Sequence, residues 1–124
     1  MSPLENTFIS KAKHAVKINI NKEYYSIVEF ASDLSMSRSN LCKRMKEVTG
    51  LSPTEFITNC KLRIALNLLA ECKLSVKEIA YSTGFNDPKY FSRRFKKEFG
   101  ITPKEYQLNI NQKPAYQWEF FNLN

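Results

Sequence analysis

Two clusters of basic side chains, about 50 residues apart, carry the most distinctive chemistry in this sequence. They are Lys43, Arg44 and Lys46 in the first cluster, and Arg93, Arg94, Lys96 and Lys97 in the second. Ammonium and guanidinium groups donate charge-assisted hydrogen bonds to phosphate oxygens, and the guanidinium fork also fits the edge of a guanine base. The chain has 19 Lys and Arg against 12 Asp and Glu, a formal charge of +7. This excess favours a polyanionic partner, either nucleic acid or an anionic membrane face.

Residues suited to catalysis or metal binding are scarce by comparison. A small nuclease would need carboxylates or histidines clustered around a metal, but the acids serve mostly as helix caps or surface charges, and His14 is the single histidine. The three cysteines, Cys42, Cys60 and Cys72, share no CxxC spacing and occupy otherwise apolar helical positions. We interpret them as reduced thiols that fill space. We therefore predict that this chain is not an enzyme and holds no metal or cofactor.

The length of 124 residues allows one sizeable core, or two small cores that share a connecting element. No apolar run approaches the roughly 20 residues that a membrane-spanning helix needs, and the N-terminus lacks the apolar core of a secretion signal. We therefore expect a cytoplasmic chain that makes no direct membrane contact.

An internal repeat supplies the elements that would position the basic clusters. Segment 26–31 (SIVEFA) matches segment 75–80 (SVKEIA) at an offset of 49 residues. After one inserted residue the offset becomes 50, and this register aligns Lys43 with Arg93. The chain thus contains two copies of one supersecondary unit.

Five helix starts carry the S/T-x-x-E pattern of a capping box, in which the hydroxyl accepts from the N3 amide and the glutamate accepts from the amide of the cap residue. They are Ser2–Glu5, Ser26–Glu29, Ser52–Glu55, Ser75–Glu78 and Thr102–Glu105, with proline at residues 3, 53 and 103. The pattern predicts an all-α fold of about seven helices. The expected helices span about 3–18, 27–34, 38–49, 53–72, 76–83, 88–99 and 103–110, and we predict no strand before residue 114.

Each copy pairs a short helix with a longer one across a three- or four-residue turn, which is the spacing of a helix-turn-helix. In the second copy Gly84 can adopt positive φ, Phe85 can fill the angle between the helices, and Asn86-Asp87-Pro88 supplies a cap and a helix-starting proline. In the first copy Ser35-Met36-Ser37 occupies the same positions without the glycine.

The second helix of each copy separates its side chains by face. Phe91, Phe95 and Phe99 recur every four residues on one side, whereas the basic residues point the other way. For a single helix, a solvated basic face would be the usual explanation, and a general RNA-binding module is another alternative. We favour DNA because the basic face recurs on the element that a helix-turn-helix inserts into a groove, and because RNA readers usually expose the aromatic residues that are buried here.

The helix between the copies has about 20 residues at ~1.5 Å each, so it would be roughly 30 Å long. This is close to one turn of B-DNA, about 34 Å, so one chain could set its two recognition helices into successive major grooves. Its packing face is expected to contain Phe56, Ile57, Cys60, Ile64, Ala65, Leu68 and Leu69. Its Lys61 and Arg63 could be solvated or could contact phosphates, and we favour solvation.

Several motifs resemble the AraC/XylS family of transcription regulators over about residues 23–108. They are Lys61-Leu-Arg-Ile-Ala65, Ile79-Ala80, Gly84-Phe85, Tyr90-Phe91-Ser92-Arg93, Phe95-Lys96-Lys97, Phe99-Gly100 and Pro103. The resemblance implies two helix-turn-helix subdomains joined by a long helix. It also implies sequence-specific binding of double-stranded promoter or operator DNA by a transcription regulator.

The resemblance places the base-reading surface on the two recognition helices, at Arg38, Ser39, Asn40, Cys42, Lys43, Pro88, Lys89, Tyr90 and Arg93. Lys43 and Arg93 are the best candidates for guanine edges, whereas Cys42 offers little more than apolar contact to a thymine methyl group. Phosphate contacts are expected from Arg44, Lys46, Arg94, Lys96, Lys97 and Lys104. Glu47 stands where the second copy has Lys97, so we expect the first copy to hold the DNA backbone less strongly.

The expected organisation is an N-terminal packing helix and connection (1–22), a first helix-turn-helix (23–51), a linker helix (52–73), a second helix-turn-helix with a closing helix (74–110) and an aromatic tail (111–124). Tract 36–45 and segment 49–53 are similar to output domains of hybrid two-component regulators. This similarity implies a larger parent chain with a sensor or receiver domain, which could also carry a histidine kinase. A free-standing activator is the alternative. RNA polymerase and a second copy of the chain are further expected partners.

The two ends of the chain leave alternatives open. The N-terminal helix places Phe8, Ile9, Ala12 and Val16 on one side, so it is expected to pack on the domain, although a basic membrane-surface helix is the alternative. His14 is expected to face solvent. In the tail, the alternating Tyr116, Trp118 and Phe120 invite a partner, which could be the domain itself or a second copy, unless the segment is disordered.

Overall fold

The computed structural model describes residues 2–22 and 24–109, and these residues form seven helices and no strand. The helices are α1 Pro3–Ile18, α2 Ile27–Asp33, α3 Arg38–Thr49, α4 Pro53–Glu71, α5 Val76–Ser82, α6 Pro88–Phe99 and α7 Pro103–Leu108. The predicted all-α fold is confirmed, and α1, α3 and α6 have the predicted bounds. The other helices end one or two residues earlier than expected. The predicted aromatic tail, 111–124, lies outside the described residues.

Four of the five predicted capping boxes are complete. In the boxes at Ser2, Ser75 and Thr102, the hydroxyl accepts from the N3 amide and the N3 glutamate accepts from the amide of the cap residue. Ser52 and Glu55 exchange the same two bonds, at 3.2 and 2.9 Å. In the boxes of α1, α5 and α7, the bond from the backbone amide of the cap residue is the largest cause that lowers the glutamate pKa.

The box at Ser26 is only half formed, which corrects one prediction. The Ser26 hydroxyl accepts from the Glu29 amide at 3.0 Å, as expected. The Glu29 carboxylate, however, lies 3.2 Å from Lys22 Nζ and accepts from the Ser26 hydroxyl at 3.3 Å. An ammonium group seven residues upstream therefore binds the carboxylate that the box would have used, and this competition is invisible in the four-residue pattern.

The helix caps also reveal the extent of the repeat. The sequence Ser-Pro-x-Glu begins α1 at Ser2 and α4 at Ser52, and Thr-Pro-x-Glu begins α7 at Thr102, each 50 residues after the last. Helices α1, α2 and α3 therefore correspond to α4, α5 and α6. The described chain divides into two compact units, with the boundary between Cys60 and Lys61 inside α4.

Three aromatic rings meet in the core of the first unit. Phe30 is fully buried, and its ring centroid lies 5.6 Å from that of Tyr25 and 6.1 Å from that of Phe56. The Tyr25 hydroxyl donates a hydrogen bond to Asp33, and burial together with this bond raises the Tyr25 pKa. Buried residues from all of α1 to α3 complete this core, namely Ile9, Ala12, Ala15, Val16, Ala31, Leu41 and Met45. The predicted packing role of α1 is confirmed, and His14 is exposed as expected.

The core of the second unit collects buried side chains from α4, α5, α6 and α7. They are Leu62, Ala65, Leu66, Leu69, Ile79, Ala80, Phe85, Phe91, Phe95, Phe99 and Tyr106. The predicted face of α4 was partly wrong, because Leu62 and Leu66 are buried while Ile64 and Leu68 are only half-buried. The three phenylalanines of α6 form a continuous row, with centroid separations of 5.8 Å for Phe91–Phe95 and 4.6 Å for Phe95–Phe99.

The two helix-turn-helix turns have the same backbone geometry despite different residues. Ser35 at φ 56° and Gly84 at φ 84° both occupy the left-handed region. In each turn the next amide reaches back five residues, from Met36 to the Ala31 carbonyl and from Phe85 to the Ala80 carbonyl, both at 2.9 Å. This is the Schellman pattern that closes a helix and redirects the chain. The turn therefore forms with serine, at the cost of placing an L residue in a conformation that favours glycine.

Candidate nucleic-acid interface

Helix α6 presents a basic face to solvent and an aromatic face to the core of its unit. Phe91, Phe95 and Phe99 are buried. The exposed residues of the opposite face are Lys89, Tyr90, Arg93, Lys96 and Lys97. The helix begins sharply because the Asp87 carboxylate accepts from the Lys89 amide at 2.9 Å and proline occupies the first turn. Five basic residues against one acidic residue make this helix strongly positive.

Helix α3 has the same division in the first unit. Leu41 and Met45 are buried, and the Ser37 hydroxyl caps the helix by accepting from the Asn40 amide at 3.1 Å. The exposed residues of α3 include Arg38, Ser39, Asn40, Cys42, Lys43, Lys46 and Glu47. Four basic residues face one acidic residue here, so this helix is positive but less so than α6.

Most of the predicted base-reading residues therefore lie on exposed faces of the two corresponding helices. Eight of these nine side chains are exposed, and Pro88, at the start of α6, is half-buried. Among the predicted phosphate contacts, Lys46, Lys96, Lys97 and Lys104 are exposed, whereas Arg44 and Arg94 are half-buried. The Lys46 ammonium also donates a hydrogen bond of 3.0 Å to the carbonyl of Gly50, the residue that caps the end of α3. In each unit, most of the candidates are thus exposed to solvent on α3 or α6.

Arg44 is held by a contact that the sequence did not predict. Its guanidinium carbon lies 5.5 Å from the centroid of the Phe8 ring, so a residue of α1 stacks against the recognition helix of the same unit. Such a cation–π contact favours a planar guanidinium over a ring face. The only sequence signal was that Phe8 lies on the edge of the apolar face of α1, where its exposure is intermediate.

Arg93 is held by a ring from its own helix. Its guanidinium carbon lies 5.9 Å from the centroid of Tyr90, which is three residues earlier on the same helix. The Tyr90 ring lies 6.3 Å from Phe85, a core residue with 6% of its surface exposed. A connected series of contacts therefore runs from the core of the second unit to the exposed arginine.

Two expectations about individual side chains were wrong. Cys60 is buried as a space-filling thiol, but Cys42 and Cys72 are exposed. Cys42 lies away from the buried face of α3, and Cys72, at φ 55°, follows the end of α4. Lys61 was expected to be solvated, yet it is 8% exposed, and burial lowers its pKa. Lys61 lies beside Leu62 on the side of α4 that enters the core, which the charge alone did not reveal.

Two kinds of feature are absent from the part of the chain that the structure describes. None of their His, Cys, Asp and Glu side chains gather in a group of three or more that could hold a metal ion. Within residues 2–22 and 24–109, no helix has both the length and the apolar character needed to cross a membrane.

A family model described as a helix-turn-helix domain matches residues 30–109. The chain is 36% identical over 113 residues to Histidine kinase P4 of Formosa agariphila, a match that spans 91% of this chain and 8% of that protein. The chain also spans 34% and 27% of the length of two curated transcription regulators that it matches.

Two solved structures of transcription regulators are also similar to this chain. A DNA-binding transcriptional dual regulator from Escherichia coli K-12 is 31% identical with a TM-score of 0.76, covering 86% of this chain and 94% of that one. An AraC-type DNA-binding domain-containing regulator from Chromobacterium violaceum is 26% identical with a TM-score of 0.79, covering 87% of this chain and 96% of that one.

Proposed function

The chain belongs to the AraC family of helix-turn-helix transcription regulators, as a DNA-binding domain, and from this premise we propose that it reads DNA with α3 and α6 in successive major grooves. The observation that carries the proposal is the repetition of one surface. Two corresponding helices each bury an apolar face and expose a basic one, with Lys43 and Arg93 at aligned positions. A solvated basic face would have no reason to recur on the element that enters a groove.

We assign base reading to the exposed centre of each face and phosphate binding to its edges. The proposed base-reading surface comprises Arg38, Ser39, Asn40, Cys42 and Lys43 on α3 with Pro88, Lys89, Tyr90 and Arg93 on α6. Arg93 can donate two parallel hydrogen bonds to guanine O6 and N7, and Lys43 can donate to the same edge. Phosphate contacts are proposed for Arg44, Lys46, Arg94, Lys96, Lys97 and Lys104, because such contacts orient a protein on the duplex.

The length of α4 supports binding to successive grooves. This helix runs without interruption for 19 residues across the boundary between the units. At ~1.5 Å per residue it measures roughly 28 Å, which is of the same order as one turn of B-DNA, about 34 Å. On this proposal a single chain binds two blocks of sequence on one side of the duplex.

We further propose that the domain is the output part of a longer sensor or two-component protein. The match that spans 8% of Histidine kinase P4 supports this, because a domain of this kind then forms a small part of a much larger chain. A sensor or receiver domain would act on the DNA-binding surface from the same polypeptide. RNA polymerase and a second copy of the chain are the other proposed partners, and no direct membrane contact is proposed for this domain.

Selection of bound duplexes from a random pool tests the proposed function. We expect a motif of two sequence blocks whose centres lie about ten base pairs apart, as two recognition helices in successive major grooves require. The Arg93→Ala variant should select the same first block with one position of the second block relaxed. Recovery of duplexes with no shared motif would contradict sequence-specific reading, and a single block would contradict the use of both helices.

A further inference from the structure

Tyr90 occupies an unusual place between the core of the second unit and the exposed Arg93. Its ring contacts Phe85, with centroids 6.3 Å apart and ring planes at 47°. The Arg93 guanidinium carbon lies over the same ring, 5.9 Å from its centroid. Tyr90 is 42% exposed, whereas Phe85 is 6% exposed, so the tyrosine ring bridges buried and exposed parts of the unit.

The local backbone fixes the position of this ring. Residues three apart on a helix are neighbours on its surface, so Tyr90 and Arg93 meet as a consequence of their spacing. Tyr90 belongs to the first turn of α6, which is set by the Asp87 cap on the Lys89 amide. Gly84, at φ 84°, turns the chain so that Phe85 enters the core beneath that first turn, where it also lies 5.0 Å from the Phe91 ring.

We propose that Tyr90, which lies within the proposed base-reading surface, has a positioning role there: it holds the Arg93 guanidinium in the orientation that reads a guanine edge, rather than contacting a base itself. This inference rests on the proposed function of α6. An arginine side chain that is free in solution loses conformational freedom when it binds. Stacking on a ring that packs against the core restricts the Arg93 side chain in the free protein, so binding to DNA costs less conformational entropy.

The first unit has no equivalent arrangement on its recognition helix. The positions aligned with Phe85, Tyr90 and Arg93 are Met36, Asn40 and Lys43. Neither Met36 nor Asn40 has a ring on which a cation could stack, and an ammonium group lacks the planar fork of a guanidinium. The positioning device is therefore specific to α6.

A double-mutant cycle on the selected duplex tests the inference. Dissociation constants are measured for the wild type, Tyr90→Leu, Tyr90→Phe, Arg93→Ala and the Tyr90→Leu/Arg93→Ala double variant. Because the stack exists before DNA binds, its stabilisation at an exposed site sets a ceiling, so Tyr90→Leu should show a measurable loss of up to about five-fold in affinity. Tyr90→Phe should behave like the wild type because the ring remains, and Tyr90→Leu should have no further effect once Arg93 is absent.

Tyr81→Leu is the matched control, because Tyr81 is also exposed in the second unit but lies on α5. It should leave affinity unchanged. An equal loss for Tyr90→Leu with and without Arg93 would overturn the inference, since Tyr90 would then contact DNA directly. Unchanged affinity for Tyr90→Leu would overturn it as well.

The stack can also be measured without DNA, which separates this inference from the proposed function. The side-chain resonances of Arg93 in the free protein should show an aromatic ring-current shift that Tyr90→Phe retains. If Tyr90→Leu does not fold, the wild-type and Tyr90→Phe spectra still decide the question. Absence of the shift would overturn the positioning role and leave DNA binding by α6 intact. Unchanged base preference in Arg93→Ala would instead contradict the proposed base reading.

Discussion

At the scale of residues, each recognition helix holds one arginine against an aromatic ring, but the rings come from different places. Arg44 lies over Phe8 of the preceding helix α1, whereas Arg93 lies over Tyr90 of its own helix. Arg44 is consequently half-buried at the edge of α3, and Arg93 is exposed on the face of α6. These positions fit an arginine that contacts the DNA backbone and an arginine that reaches the base edges.

Arg93 and Lys97 should respond differently to truncation. Arg93→Ala should weaken cognate binding by about 1–3 kcal/mol and relax preference at one base pair, because a bidentate contact discriminates by that amount. Lys97→Ala should weaken cognate and random duplexes alike and reduce the dependence on salt, because it removes one phosphate contact. Titrations of both duplexes at several salt concentrations measure each effect. Equal losses on cognate and random DNA for Arg93→Ala would refute its base-reading role.

At the scale of elements, the two turns show how far local sequence determines geometry. The serine turn of the first unit and the glycine turn of the second are closed by the same backbone hydrogen bond, from an amide to the carbonyl five residues earlier. Ser35 nevertheless sits at φ 56°, in the region that costs an L residue free energy. The first turn is therefore formed at a cost that the second avoids.

Replacing Ser35 with glycine should stabilise the first unit. Relief of the left-handed conformation outweighs the added freedom of the unfolded chain, so the free energy of unfolding should rise by about 0.5–1 kcal/mol. Gly84→Ser is the reciprocal variant and should lower it. Urea denaturation followed by circular dichroism measures both changes. A Ser35→Gly protein that is less stable than the wild type would show that the serine side chain contributes more than its backbone strain costs.

Helix bounds and caps were predictable from the sequence because their causes lie within four or five residues. The capping box of Ser75 and Glu78 involves only residues of one helix start, so it does not depend on the rest of the fold. The spacing of Phe91, Phe95 and Phe99 alone identifies the buried face of α6. Contacts between helices were not predictable in this way. The stack of Phe8 on Arg44, the burial of Lys61 and the diversion of Glu29 to Lys22 depend on helix crossings and on loop conformation, which the pattern of residue types does not encode.

At the scale of the whole molecule, the two units differ in charge on surfaces that otherwise correspond. Helix α6 has five basic residues and α3 has four, and Glu47 stands at the position of Lys97. Phosphate binding depends on the number of cations that displace counterions. The second unit should therefore supply more of the sequence-independent affinity, whereas base contacts are proposed for both units.

Glu47→Lys should give α3 as many basic residues as α6. Affinity for cognate and random duplexes should rise together, and the slope of log K against log salt should steepen by about 0.9 if one more phosphate is neutralised. Glu71→Lys, which makes the same change of charge at an exposed position near the end of α4, is the matched control. A similar gain for both variants would mean that net charge matters and the position does not.

We propose that one chain reads two blocks of DNA through two recognition helices separated by a continuous helix, and changing the spacing of the selected site tests this claim. Inserting five base pairs between the blocks turns one of them by about half a helical turn, to the other side of the duplex. We predict that affinity then falls to that of a duplex with a single intact block. Unchanged affinity for the duplex with the insertion would contradict the claim.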